Sequence, residues 1–316
     1  MVDGPTPVTR SLEFAAVRLV ATIVSLLPMR VVRRCGAALG RLAYALDAAH
    51  RRIALENLAA AFPSRPERER RMLVRAMFAH FGSLLLELLK FGTYTPDQMH
   101  AAIDVEGEER ARQAYQQERG VLFFTGHFGY WEIQAIVEPL HGHPISVLAR
   151  PLDNARLNEM LERIRTRTGN SVIYRQGAVR KILRELAANH GVALLIDQHL
   201  HTPDAVYVDF FRRPAATTSA LAALALRTGA PVIPVFALPL PRGRYRLVYE
   251  HPVDPPHTDT PDAVREFTQR CTDVLEMYVR RHPELWLWMH RRWRDQDIVT
   301  GEDLLMRDEP EMESDV

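Results

Sequence analysis

The sequence predicts an α/β fold: a central, mostly parallel sheet flanked by helices, preceded by an N-terminal membrane-associating helical region. Three observations predict it. Residues 8–92 keep helical apolar spacing throughout. From about residue 103, short apolar runs alternate with longer amphipathic segments. The connections between them are short, as right-handed strand–helix–strand units require.

The helical region opens with SLEFAAVRLVATIVSLLPMRVVRR, apolar from Leu12 to Met29 except for Glu13 and Arg18, and then strongly basic. Its unbroken part, from Leu19 to Met29, is too short to span a bilayer. No small-residue cleavage site follows it. The expectation is a helix lying in or dipping into the membrane, peripheral or as a single N-terminal anchor, with Arg30, Arg33 and Arg34 at the headgroups, a core helix being the alternative. The segment RRIALENLAAAFP stops at Pro63. The next helix starts at Ser64 as N-cap, with Pro66 near its first turn, and ends at Gly92. Its apolar face (Leu73, Met77, Phe81, Leu84, Leu85, Leu88) suits either a core or a membrane.

Five runs read as buried strands: VLFFT (121–125), ISVLA (145–149), SVIY (171–174), VALLID (192–197) and PVIPVFAL (231–238). Helical segments fall between them, including NARLNEMLERIRTRTG and TTSALAALALRTGA. YRLVYEHPV adds an edge strand, and PDAVREFTQRCTDVLEMYVRRHP a long closing helix. The acidic end GEDLLMRDEPEMESDV reads as disordered. The expected organisation is a helical region at 1–92, an α/β core at 93–298 and a tail at 299–316.

Composition narrows the function classes. Charged residues at 25% and hydrophobic ones at 47% describe an ordinary globular chain. A net charge of +1 argues against nucleic-acid binding by bulk charge. All basic residues except Lys90 and Lys181 are arginines, which a GC-rich genome or bidentate anion recognition would each explain. Cys35 and Cys271 have no metal-ligand spacing and read as free thiols.

The stretch GVLFFTGHFGYWEI carries the chemistry. A buried strand ends at Thr125, Gly126 turns, His127 sits on the loop, and a helix starts near Glu132. Sites in open α/β sheets gather at such strand ends. On this corner Glu132 can fold back onto the imidazole, fixing its tautomer while the other ring nitrogen deprotonates a hydroxyl. No serine or cysteine stands beside the pair, so direct transfer is more natural than a covalent intermediate.

The same stretch resembles the late acyltransferases of lipid A biosynthesis (lauroyl and myristoyl transferases) and relatives that acylate phosphatidylinositol mannosides. That family carries Gly-His-Phe-Gly-x-Trp-Glu, here Gly126 to Glu132, with Tyr130 where asparagine is frequent. HRRIALENLAAAFP, FGSLLLELLKF, LARPLDNARLNEMLERIRTRTG, LLIDQ, VDFFRRPAATTSALAALALRTGAPVIPVF and PELWLWMHRRWR match further blocks in order.

The resemblance implies acyl transfer from an acyl carrier protein thioester to a hydroxyl of a membrane glycolipid, with a lipid A precursor as first choice. His127 becomes the general base and Glu132 its orienter. Oxyanion donors would be the backbone amides of the loop from Gly126 to Gly129 and Arg165, with Arg163 the close alternative. Arg150 would bind a substrate phosphate or close a turn, and Asp197 would hold an arginine or the acceptor sugar. No metal or organic cofactor is implied. The expected location is the cytoplasmic face of the inner membrane, with the membrane surface as partner and no nucleic acid.

Two departures from the family pattern, Arg212 in place of glycine and HLHTPD after Asp197-Gln198, bear on the acceptor. His199 and His201 read as loop residues rather than metal ligands. The terminal WLWMHRRWR reads as packing tryptophans beside surface arginines. Rival readings are acylation of a phosphatidylinositol mannoside or an aminolipid, a thioesterase-like hydrolase, and a non-catalytic lipid-binding protein.

Overall fold

A computed structural model describes residues 7–200, 202, 205–257 and 262–294. The expected acidic tail and His201 lie outside the described residues. The chain begins with four helices: α1 (Pro7–Leu26), α2 (Met29–Leu46), α3 (Ala48–Ala61) and α4 (Glu67–Phe91). Then follow α5 (Pro96–Ala101), β1 (Ile103–Glu106), α6 (Glu108–Tyr115), β2 (Val121–Thr125), α7 (Glu132–Val137), β3 (Ile145–Ala149), α8 (Ala155–Thr166), β4 (Ser171–Tyr174), α9 (Ala178–Ala187) and β5 (Gly191–Leu195). The last elements are the hairpin β6 (Ala205–Asp209) and β7 (Pro214–Thr218), then α10 (Ala220–Thr228), β8 (Val232–Pro239), β9 (Tyr245–Tyr249) and α11 (Ala263–Arg281).

Seven strands form one sheet in the order β1-β9-β8-β2-β5-β3-β4, parallel everywhere except between β8 and β9. The predicted α/β class and its five buried strands are therefore present. The segment expected at the edge, β9, lies one strand inward, because the short β1 pairs outside it. β1 is only four residues long and partly exposed, so its pattern gave no strand signal. The start of the predicted helix TTSALAALALRTGA is instead the end of β7. In the β6–β7 turn both Phe211 and Arg212 adopt positive φ, +59° and +60°, as two-residue hairpins demand. Arg212 thus occupies a left-handed position that glycine would take without strain.

The helical region shares its core with the sheet. Leu58 of α3 and Val74, Met77, Phe78 and Phe81 of α4 join Leu122, Phe124, Ile196, Trp286 and Trp288 in one apolar cluster. By length and composition α4 could cross a membrane, but much of its apolar face is spent on this core. α2 crosses α4 at glycines: a Cβ on Gly36 would come within 2.5 Å of the Ser83 backbone, and those on Gly40 and Gly82 would strike the opposing main chain. Arg33, expected at the headgroups, instead turns inward. Its Nε pairs with buried Glu87 at 2.9 Å, and its guanidinium lies 4.8 Å from the Tyr245 ring centroid. Arg30 and Arg34 stay exposed.

Because neither backbone can retreat, Gly40→Ala should force the two helices apart. A loss of about 1–3 kcal/mol is expected, read as a lower denaturant midpoint at unchanged slope. An unaltered midpoint would mean that the contact is not close-packed.

Candidate active site

The sheet register builds the site. β2 and β5 are parallel neighbours with Thr125 opposite Leu195. Two residues beyond each strand, at the carboxyl edge where α/β sites form, stand His127 and Asp197. The Asp197 carboxylate accepts the His127 backbone N–H at 2.7 Å and the imidazole Nδ1–H at 2.9 Å. It also accepts the Trp286 indole N–H at 2.8 Å. Gly126 is needed beside it, since a Cβ there would sit 3.0 Å from the carboxylate.

The loop is clamped from both sides. Gly129 donates to the Leu285 carbonyl at 2.8 Å and Leu287 to the His127 carbonyl at 3.0 Å, so residues 285–287 run against 127–129 like a short antiparallel strand. Tyr130 N–H donates to the Ala237 carbonyl on β8 at 2.9 Å. The His80 imidazole donates from Nε2 to the Gly129 carbonyl at 3.1 Å. Burial lowers the His80 pKa to about 4, which keeps that ring neutral. Gly129 takes φ +57°, and a Cβ there would collide with the Ala237 carbonyl.

These contacts set the electrostatics. Burial opposes the charged form of His127, but the charge and hydrogen bond of Asp197 outweigh it, and its pKa is raised. Burial likewise works against ionised Asp197, yet His127 holds its carboxyl well below the usual carboxylate range. His290, also close to Asp197, is pushed by burial down to about 4 and stays neutral. The Asp197 charge therefore acts on His127. With Nδ1–H committed, Nε2 is the proton acceptor. It lies 3.4 Å from the Gln198 side-chain nitrogen, and the imidazole sits beside the tilted Trp131 ring with the ring centroids 5.2 Å apart. The arrangement can take a proton from a hydroxyl and return it to a leaving group.

The geometry corrects the expected pairing. Glu132 does not bond the imidazole. It is buried at the start of α7 and forms a two-bond fork with Arg165 of α8, at 2.8 and 2.5 Å. A five-residue offset across the loop carries the Glu132 side chain to the α8 side, while the register delivers Asp197 to Nδ1. Glu132 reaches His127 only through its charge, which helps raise the imidazole pKa. Of the expected oxyanion donors, the amides of His127, Phe128 and Gly129 all donate within the protein. Arg163 pairs with Glu159 on the exposed face of α8, and Arg150 weakly with Asp153 at 3.4 Å. Neither is brought to His127. Trp286, Gln198 and His80 escaped the sequence reading. For Trp286 a signal existed in the WLW repeat, whose aromatic character reads as packing until a buried acceptor is seen.

The Glu132–Arg165 fork is almost fully enclosed, so each partner depends on the other. Glu132→Gln and Arg165→Met should each cost about 3–5 kcal/mol, and the double variant clearly less than their sum. Urea unfolding of the four proteins measures this. Additive losses would show that the pair is uncoupled.

Comparison with known proteins places this geometry in a family. The chain is 29% identical over 275 residues to the lipid A biosynthesis lauroyltransferase of Escherichia coli (strain K12), covering 86% of this chain and 88% of that one. It is 26% identical to the myristoyltransferase of the same organism, over 80% of this chain and 78% of the relative. The palmitoleoyltransferase, also 26% identical, is matched over 86% and 88%. A solved structure, the 1-acyl-sn-glycerophosphate acyltransferase of Thermotoga maritima, superposes with a TM-score of 0.35 at 17% identity, too weakly to bear on function. The family model described as bacterial lipid A biosynthesis acyltransferase matches residues 7–295, and the chain belongs to that family.

Proposed function

We propose that the protein transfers a fatty acyl chain from an acyl carrier protein thioester to a hydroxyl of a membrane glycolipid, a lipid A precursor. The observation that carries this reading is the pair of half-buried His127 and buried Asp197, in which the imidazole Nε2 is left as acceptor at the carboxyl edge of the sheet. The relatives' names give their transferred groups as lauroyl, myristoyl and palmitoleoyl, all fatty acyl chains.

In the proposed reaction Nε2 takes the acceptor hydroxyl proton as the oxygen attacks the thioester carbonyl. Asp197 stabilises the imidazolium so formed. The tetrahedral oxyanion collapses, the carbon–sulfur bond breaks, and the imidazolium returns the proton to the departing thiolate. Arg165 spends Nε and Nη2 on Glu132, which leaves the Nη1 donors for the acyl group. Gln198, beside Nε2, sits where the attacking hydroxyl must come and would orient it.

His127→Ala should lower turnover by about 10²–10⁴-fold, and Asp197→Asn by a similar factor through loss of the tautomer. Because the imidazole must be neutral to accept a proton, activity falls as the pH drops through its raised pKa. The acid limb of kcat/KM should therefore lie above 6.5, and Asp197→Asn should move it down. Mass spectrometry of products from an acyl carrier protein thioester, with and without lipid acceptor, tests the reading. Free fatty acid released equally in both would establish a hydrolase instead. Near-normal turnover in His127→Ala would remove the base.

The membrane contact is assigned to α1. Leu12, Leu19, Ile23 and Leu26 recur along one side of it and stay 66%, 63%, 49% and 82% exposed, whereas Val24 packs inward. Burying such a ridge in the interface gains about 25 cal/mol per Å². Leu12→Ser with Leu19→Ser and Ile23→Ser should weaken sedimentation with vesicles in high salt. Turnover on a short, dispersed acceptor should be spared. Unchanged sedimentation would move the membrane contact off α1.

A further inference from the structure

A cavity of about 530 Å³ lies between α1 and α8. One face of each helix supplies its walls: Phe14, Arg18 and Ser25 from α1, and Arg156, Met160 and Arg163 from α8. With Ala21 between Arg18 and Ser25, the three- and four-residue steps within each set are those of a single helical face. The gap is held open at both ends. Asn154 donates to the Arg10 carbonyl at 2.8 Å and to the Glu13 carboxylate at 3.1 Å, and Lys90 donates to the Ser25 carbonyl at 2.7 Å.

Three guanidinium groups therefore face one groove. Arg163 is paired with Glu159 at 2.5 Å. Arg18 and Arg156 flank the Phe14 ring, 5.8 and 5.6 Å from its centroid, and among the described residues neither pairs with a carboxylate. Planar guanidinium groups gathered on one aromatic ring, with no protein anion between them, suit a tetrahedral oxyanion taken bidentately. The groove and the exposed leucine ridge belong to the same helix, on sides about a third of a turn apart. A headgroup whose chains entered the bilayer at that ridge would present its phosphate at the arginines.

We propose that the groove between α1 and α8 binds the phosphate of a membrane lipid headgroup through Arg18 and Arg156. The choice of a lipid over free phosphate rests on the membrane reading above; the phosphate chemistry does not. The site is separate from the catalytic pair, since Arg165 turns to Glu132 of α7, whereas Arg156 and Arg163 line the groove with α1.

The test is partitioning of the full chain onto phosphatidylcholine vesicles with and without phosphatidic acid. Arg18→Ala with Arg156→Ala should lose on the order of tenfold or more of the phosphatidic-acid-dependent partitioning, leaving binding to the neutral vesicles unchanged. A charge-matched control, Arg180→Ala with Arg184→Ala on the exposed face of α9, should keep most of it. Arg18→Lys with Arg156→Lys, which keeps the charge and guards against misfolding, should recover only part of the loss. Inorganic phosphate should compete better than chloride at equal ionic strength. Equal losses in the two alanine doubles would reduce the effect to bulk charge and overturn the site. Binding of inorganic phosphate as tight as that of the vesicles would overturn the lipid source. His127→Ala protein should bind like wild type, so failure of the acyl-transfer reading would leave this result standing.

Discussion

Everything at the site hangs on the Asp197 carboxylate. It is buried, and it would be costly there without partners. The His127 amide, the His127 imidazole and the Trp286 indole supply three. One oxygen serves both the loop amide and the indole, so the same group that sets the imidazole tautomer fixes where the loop and the C-terminal segment lie. The carboxylate ties β2, β5 and residues 285–287 together, and the basicity of His127 follows from that tie.

The second ion pair, Glu132 with Arg165, has a different consequence. It joins the start of α7 to the end of α8, two helices that flank the catalytic loop on the side of β3. An ionised pair enclosed this far is a poor source of stability by itself. What it provides is a fixed position for the Arg165 guanidinium, with one nitrogen outside the fork. The two carboxylates thus have different partners: Asp197 holds the His127 imidazole, and Glu132 holds the Arg165 guanidinium.

The amino-terminal helices connect this chemistry to a surface. α3 and α4 bury side chains in the core that carries Trp286 and Trp288, and His80 of α4 bonds the Gly129 carbonyl. α2 is locked to α4 through Gly36, Gly40 and Gly82, and α1 is pinned by Lys90 and Asn154. The exposed leucines of α1 are therefore rigidly related to His127, with no flexible tether between them. Under the proposed function, an acceptor held at that ridge would meet the His127 edge of the sheet at a fixed distance, which suits a lipid that cannot leave its bilayer.

The sequence by itself determined the α/β class, the five buried strands, the long closing helix and the placement of His127 on a strand–loop–helix corner. Those features are local: apolar periodicity and strand–helix alternation are written along the chain. The blocks around GHFGYWE also carried the family resemblance. Tertiary structure alone decided which carboxylate meets the imidazole. Glu132 is nearer in sequence, but side-chain direction at the start of α7 sends it to Arg165, while the parallel register of β2 and β5 brings Asp197 across. The same holds for β9, whose place inside the sheet depends on the short β1, and for Trp286, whose indole finds its acceptor only when residues 285–287 close over the loop. Arg33 follows the same rule. Its apolar and basic neighbours suggest a headgroup contact, yet its direction is set by Glu87, a helix away, because a buried carboxylate needs a cation and sequence periodicity does not record which one arrives.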